Sequence, residues 1–195
     1  MMKKNLRTSN QRGFTLIETM IAIAIMSIGI LTLIAAFATA VATTQTSQEN
    51  LIARQKTMEA MESVYTARNS QQITFAQIAN FPTGIFTSGP TQLLCAGTDG
   101  LVNTTDDANC AAHLPCPAGP ECYVLPGPDG ILGTADDQPM SLGNFQRQIT
   151  VTNVLNADGT VNNTLKQITV TVSYIPTGQT ATRSYSVTTL ISAFR

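Results

Sequence analysis

The sequence predicts an α+β protein: a long N-terminal helix, amphipathic in its outer half, packed on a small antiparallel β-sheet, with a disulfide- and Asp/Gly-rich loop insertion. Three observations lead there. Residues 19–48 contain no Asp, Glu, Lys or Arg, and no Pro or Gly interrupts residues 30–69. Three stretches in the last third alternate apolar and polar residues with the period of two that marks a half-buried strand. Between these regions, Cys95, Cys110, Cys116 and Cys122 crowd into 28 residues.

The helix comes first. Residues 20–41 are 22 apolar positions broken only by Ser, Thr and Gly. At about 1.5 Å per residue they cover a hydrocarbon core of about 30 Å. Lys3, Lys4, Arg7 and Arg12 precede them with no acid among them, which places the first thirteen residues in the cytoplasm and the rest across the membrane. Beyond the apolar run, Leu51, Met58, Met61 and Tyr65 recur at offsets of 7, 3 and 4, with Val64 beside them. Glu49, Arg54, Lys56, Glu59, Glu62 and Arg68 occupy the remaining surface, so an amphipathic helix is expected over residues 43–68. Together with residues 14–42 it forms one helix, half in lipid and half anchoring a globular head. A secretory signal cut after Ala38 or Ala40 is the alternative, but the apolar region exceeds the usual 7 to 15 residues and helical sequence continues past it.

Glu18 stands at the edge of that apolar helix, where a carboxylate needs a partner. With its flanks it reads Arg12-Gly13-Phe14-Thr15-Leu16-Ile17-Glu18. A basic leader, a Gly before an aromatic, and Glu ahead of an apolar helix resemble the processing site of type IV prepilins and type II secretion pseudopilins. The run Ser27-Ile28-Gly29-Ile30-Leu31 is similar to minor pilins of the PilV type. The resemblance implies a pilin-like fold and a membrane prepilin peptidase that cuts between Gly13 and Phe14, removes residues 1–13 as a leader, and N-methylates Phe14. It implies that Glu18 neutralises the Phe14 ammonium of a neighbouring subunit. The implied partners are other pilin or pseudopilin subunits, the prepilin peptidase, the assembly platform and motor of the inner membrane, and membrane lipid. The implied location is a single pass through the inner membrane with the head in the periplasm, then a pilus or pseudopilus. Many major pilins carry a proline a third of the way along this helix; Leu33-Ile34-Ala35-Ala36 has none. A different reading is a membrane-anchored binding module that never polymerises.

Residues 69–90 read as an irregular connector whose Ile73, Phe75, Ile78, Phe81, Ile85 and Phe86 pack on the head, with Pro82, Gly84 and Gly89 preventing long elements. Residues 91–143 form the loop insertion. Its four cysteines, on the outer side of the membrane, point to two disulfides with three connectivities open. A zinc site from Cys110, His113, Cys116 and Cys122 is the rival, disfavoured by the absence of a tight CxxC. The insertion also contains a repeat: residues 98–107 match residues 128–137 as Asp-Gly, two aliphatics, one variable residue, Thr, one variable residue, Asp-Asp. Asp99, Asp106, Asp107, Asp129, Asp136 and Asp137 supply the oxygen ligands that calcium (Ca2+) takes, as in the Asp-rich calcium loops of secreted bacterial proteins, which the repeat resembles. The alternative is a pair of Asp-Gly turns with solvated acidic edges.

Residues 144–195 complete the chain as an antiparallel β-meander. Strands are expected over residues 146–155, 166–175 and 183–191, turned by Asn156-Ala157-Asp158-Gly159 and Pro176-Thr177-Gly178. The apolar face carrying Ile149, Val151, Ile168, Val170 and Val172 needs cover, and the helix residues Met58, Met61 and Tyr65 are expected to supply it. No catalytic set is visible: there is a single His, no Gly-x-Ser-x-Gly, and no phosphate-binding Gly loop. The net charge of -1, with no basic patch beyond the leader, gives no indication of direct nucleic-acid binding.

Overall fold

The computed structural model describes residues 13–194 and divides after Thr44 into two compact units. The leader residues Lys3, Lys4, Arg7 and Arg12 lie outside the described residues. Helix α1, Leu16–Asn69, runs through both units as 54 uninterrupted residues. In the first unit its side chains are exposed, including Phe14, Ile21, Ile25, Leu31 and Phe37. Its few polar groups turn inward on the helix itself. Thr19, Ser27, Thr32, Thr39 and Thr43 each donate a hydroxyl to a carbonyl three or four residues back, at 2.7 to 2.8 Å. An apolar helix whose hydroxyls satisfy themselves is suited to a medium without water. This stretch is long and apolar enough to cross a membrane, and none of it is buried within the protein.

The second unit holds the sheets. Strands β1 (Thr91–Gln92), β2 (Cys122–Leu125), β3 (Gln138–Ser141), β4 (Phe145–Leu155), β5 (Val161–Tyr174) and β6 (Arg183–Ser192) follow α1 in chain order. Four of them form an antiparallel sheet in the order β1-β4-β5-β6, and β2 pairs with β3 in a separate two-stranded ribbon. The turns between the long strands place Gly159 and Gly178 at φ of 82° and 76°, where a side chain would be strained. The α+β arrangement is the one expected from the sequence, with three additions. β1, β2 and β3 fall in the segment read as loop, because strands of two to four residues are too short to show a period. β5 also begins five residues earlier than its apolar alternation does.

Register explains the core. Ile149 stands opposite Val170, and Val170 opposite Val187, so one face collects apolar side chains from three strands. Onto it pack Ala60, Met61, Val64 and Ala67 of α1 together with Ile73, Ile78 and Phe86 of the connector. A second cluster gathers Ile52, Ala53, Leu93, Leu142, Phe145, Val172 and Tyr174, with the Phe145 and Tyr174 rings stacked at 4.9 Å. Of the helix residues expected to cover the sheet, Met61, Val64 and Tyr65 do so, whereas Leu51 and Met58 do not. Met58 and Leu51 are 56% and 62% exposed, while Ala53, Thr57 and Ala60 are fully buried. The buried face of α1 is thus built partly of small residues, with the bulkier Leu51 and Met58 turned outward. Phe81, expected in the core, is also exposed.

Candidate functional site

At the N-terminal end, residues 13–15 are not helical and α1 begins at Leu16. Thr15 closes the helix start: its hydroxyl accepts from Glu18 N at 3.3 Å, and its carbonyl accepts from Glu18 N and Thr19 N at 3.1 and 3.2 Å. The sequence Thr15-Leu16-Ile17-Glu18 has the Ser/Thr-x-x-Glu spacing of a capping box, a signal legible in the sequence. Glu18 lies in the first turn, where a carboxylate complements the positive end of the helix dipole. Phe14 is 82% exposed, and a Cβ built on Gly13 would meet no atom within 4 Å. The Gly13–Phe14 bond lies in non-helical chain two residues ahead of a capped apolar helix, with Phe14 exposed.

In the head, the cysteines form disulfides Cys95–Cys110 and Cys116–Cys122, with Cα separations of 5.1 and 5.9 Å. This settles the connectivity and removes the zinc alternative, since sulfurs joined to each other are not thiolate ligands. His113 is exposed, with Nδ1 3.2 Å from the Ala111 carbonyl.

The Asp repeat folds twice into the same turn. Asp99 and Asp129 each accept at Oδ1 from the N–H two residues on, at 2.8 Å. Asp106 and Asp136 accept from the N–H of Asp99 and Asp129, at 3.3 Å, and from the hydroxyls of Thr104 and Thr134. Asp107 and Asp137 accept from the N–H of Asn103 and Gly133 at 2.6 and 2.7 Å. Gly97 and Gly127 belong to the repeat too. A Cβ on either would collide with the carboxylate and carbonyl of Asp106 or Asp136, which is why both positions lack a side chain. The same thirty-residue offset made them findable in the sequence. Hydrogen bonds from Thr104 and Thr134 hold Asp106 and Asp136 below the ordinary carboxylate range, whereas burial pushes Asp107 above it despite the donors around it. The side chain of Gln72 donates to the Asp99 carbonyl and ties the first loop to the end of α1. The carboxylates serve chiefly as caps for their own turns. Among the described residues no three His, Cys, Asp or Glu side chains form a group that could hold a metal ion.

Beneath the loops lies a charge cluster that was not anticipated. Arg147 is 1% exposed, on the inward face of β4 between Phe145 and Ile149. Its guanidinium meets Glu121 Oε1 at 3.3 Å, and Glu121 Oε2 meets Lys56 Nζ at 2.6 Å, off the hydrogen-bonding direction. Lys56 also pairs with Glu59 at 2.9 Å. Burial works against the Lys56 charge, but Glu121 and Glu59 outweigh it and raise its pKa above the ordinary value. Lys56, Glu59, Glu121 and His113 line one open cleft beside the disulfides. The acids there are already engaged by Lys56 and Arg147, so the cleft offers ion pairing and no poised nucleophile.

Residues 8–41 match the family model described as the prokaryotic N-terminal methylation motif. No curated protein and no solved structure matches the chain.

Proposed function

We propose, starting from a chain whose N-terminal segment is type IV prepilin-like, that it is a minor pilin or pseudopilin, a structural subunit assembled through its apolar helix into a type IV pilus or a type II secretion pseudopilus. The methylation motif is that of structural subunits, and it implies contact with other pilin subunits and with prepilin peptidase. The carrying observation is the conjunction at the N terminus: a non-helical Gly13–Phe14 bond with Phe14 exposed, a helix capped by Thr15, and an apolar helical run with no buried side chain. Cleavage would free the ammonium of Phe14, and Glu18 would meet that ammonium on the next subunit, because two opposite charges brought together in lipid cost far less than either alone. The basic leader argues for a cytoplasmic N terminus and a periplasmic head, with an assembly platform and motor drawing the helix out of lipid.

The test is the intact mass and N-terminal sequence of the protein from membranes, with Glu18→Ala beside it. A terminus at methylated Phe14, and a variant that stays in the membrane but leaves the filament fraction, is the expected result. A terminus at Met1, or a variant that still enters filaments, refutes the assembly role and leaves a non-polymerising anchored module.

A second reading concerns the Asp loops. Asp137 is 9% exposed and its Oδ1 has no hydrogen-bond partner. Calcium held by that oxygen, loop carbonyls and water would satisfy it. Binding would raise the melting temperature of the chain in calcium relative to chelator; identical melting would leave the loops as self-capped turns.

A further inference from the structure

The two edges of the main sheet are treated differently. On the β4 side, β1 pairs with Arg147 and Gln146, and Asn80 continues the cover: its amide donates to the Ile149 carbonyl at 2.6 Å and accepts from Val151 N at 2.8 Å. The other edge is β6, ten residues long, paired with β5 on one side through ten successive rungs without a bulge. Natural edge strands carry Lys, Pro, bulges or a covering element to prevent strand addition. From Ser184 to Ser192 there is no charge and no Pro. Among the described residues, the edge is covered at its C-terminal end, where Tyr65 donates to the Leu190 carbonyl at 3.0 Å, and just past the strand Arg68 donates to the Ala193 carbonyl at 2.8 Å.

The direction of the free groups follows from two hydrogen bonds. Ala193 N donates to Thr164 O across the β5 side, so odd-numbered residues of β6 bond inward. The Leu190 carbonyl is reached by Tyr65, so even-numbered residues point outward. Ser184, Ser186 and Thr188 therefore present their N–H and C=O groups to the open edge, with no backbone partner among the described residues. Their side chains stand on the solvent face and are exposed. There they extend a hydroxyl ladder in which Thr188 meets Thr169 at 3.0 Å and Ser186 meets Thr171 at 2.8 Å.

We propose that this edge pairs antiparallel with β6 of a second copy of the chain, centred on Ser186. About that centre Ser186 faces Ser186, Ser184 faces Thr188, Tyr185 faces Val187, and Arg183 faces Thr189. The three outward residues of each strand meet outward residues, so both hydrogen bonds of each pair can form. No like charges oppose, and the hydroxyl ladder continues across the join. The uncharged edge that would be a liability in an isolated head is complementary to itself. The pairing concerns the head alone and does not depend on processing or filament entry.

The test uses the full chain in detergent. All four native cysteines are in disulfides, so Ser186→Cys introduces a lone thiol. A short bifunctional thiol reagent is expected to give a covalent dimer from Ser186→Cys, and only background from Gln146→Cys, on the same sheet face but two strands away. In the Ser186→Cys background, Ser184→Lys with Thr188→Lys sets Lys against Lys twice and should lower the dimer yield about tenfold. Ser184→Glu with Thr188→Lys sets Glu against Lys and should restore it. These side chains are exposed, so unchanged melting establishes that each variant is folded. Equal cross-linking from Gln146→Cys, indifference to the charge pattern, or cross-linking only to a different protein overturns the proposal.

Discussion

Lys56, Glu121 and Arg147 join three parts of the head that are distant in sequence: α1, the residue before Cys122, and the inward face of β4. Removing one partner of such a buried pair leaves the other charge uncompensated. Glu121→Gln is expected to destabilise the chain by about 3 kcal/mol in urea unfolding, with Arg147 contributing most because it is the deeper cation. Lys56 gives the same cluster a pH signature. Its folded pKa is raised above the ordinary 10.5, so its contribution is complete below that value and lost as pH rises through the folded pKa. Thermal unfolding between neutral pH and above 10.5 should show this alkaline loss, and Lys56→Met should flatten it. Arg147 escaped sequence reading for a definite reason. Alternation puts residue 147 on the inward face, but a charged residue is read as outward unless its buried partner is known, and Glu121 is 26 residues away.

Among the elements, the two Asp turns show the same physics written twice. Gly97→Ala or Gly127→Ala would drive a Cβ into the carboxylate and carbonyl of Asp106 or Asp136. Each is expected to cost about 1–3 kcal/mol, the ordinary range for overpacking. Hydrogen exchange should show the loss confined to the altered turn, and exchange unchanged at Asp99 N or Asp129 N would contradict it. The repeat was legible because each turn needs the same residues at the same offsets. The buried face of α1 was read correctly at Met61, Val64 and Tyr65 but misplaced at Leu51 and Met58, because bulk was taken as the mark of the core. Here Ala53, Thr57 and Ala60 are buried, and Leu51 and Met58 are left outside. Charge counting could not correct this, since Glu49 is itself buried, accepting from Thr177 N and Oγ1 at 3.2 and 2.9 Å.

At the scale of the whole molecule, both core clusters, both disulfides and both sheets belong to the unit that begins at Gln45. A chain cut to residues 45–195 should therefore keep a cooperative thermal transition, read by circular dichroism; a broad, non-cooperative melt would mean that the head needs the apolar helix to fold. The sequence by itself determined the features that depend on neighbours along the chain. These are the apolar helix with its Gly13–Phe14 and Glu18 start, the Asp-Gly turns, the period of the three long strands, and the presence of paired cysteines. Tertiary structure alone decided which cysteine meets which, which face of α1 is buried, that Arg147 lies inside, and that one sheet edge is covered while the other is open. Periodicity and turn chemistry are local, acting over a few residues. Pairing, burial and edge exposure depend on which distant segments arrive at the same place, and no local pattern carries that information.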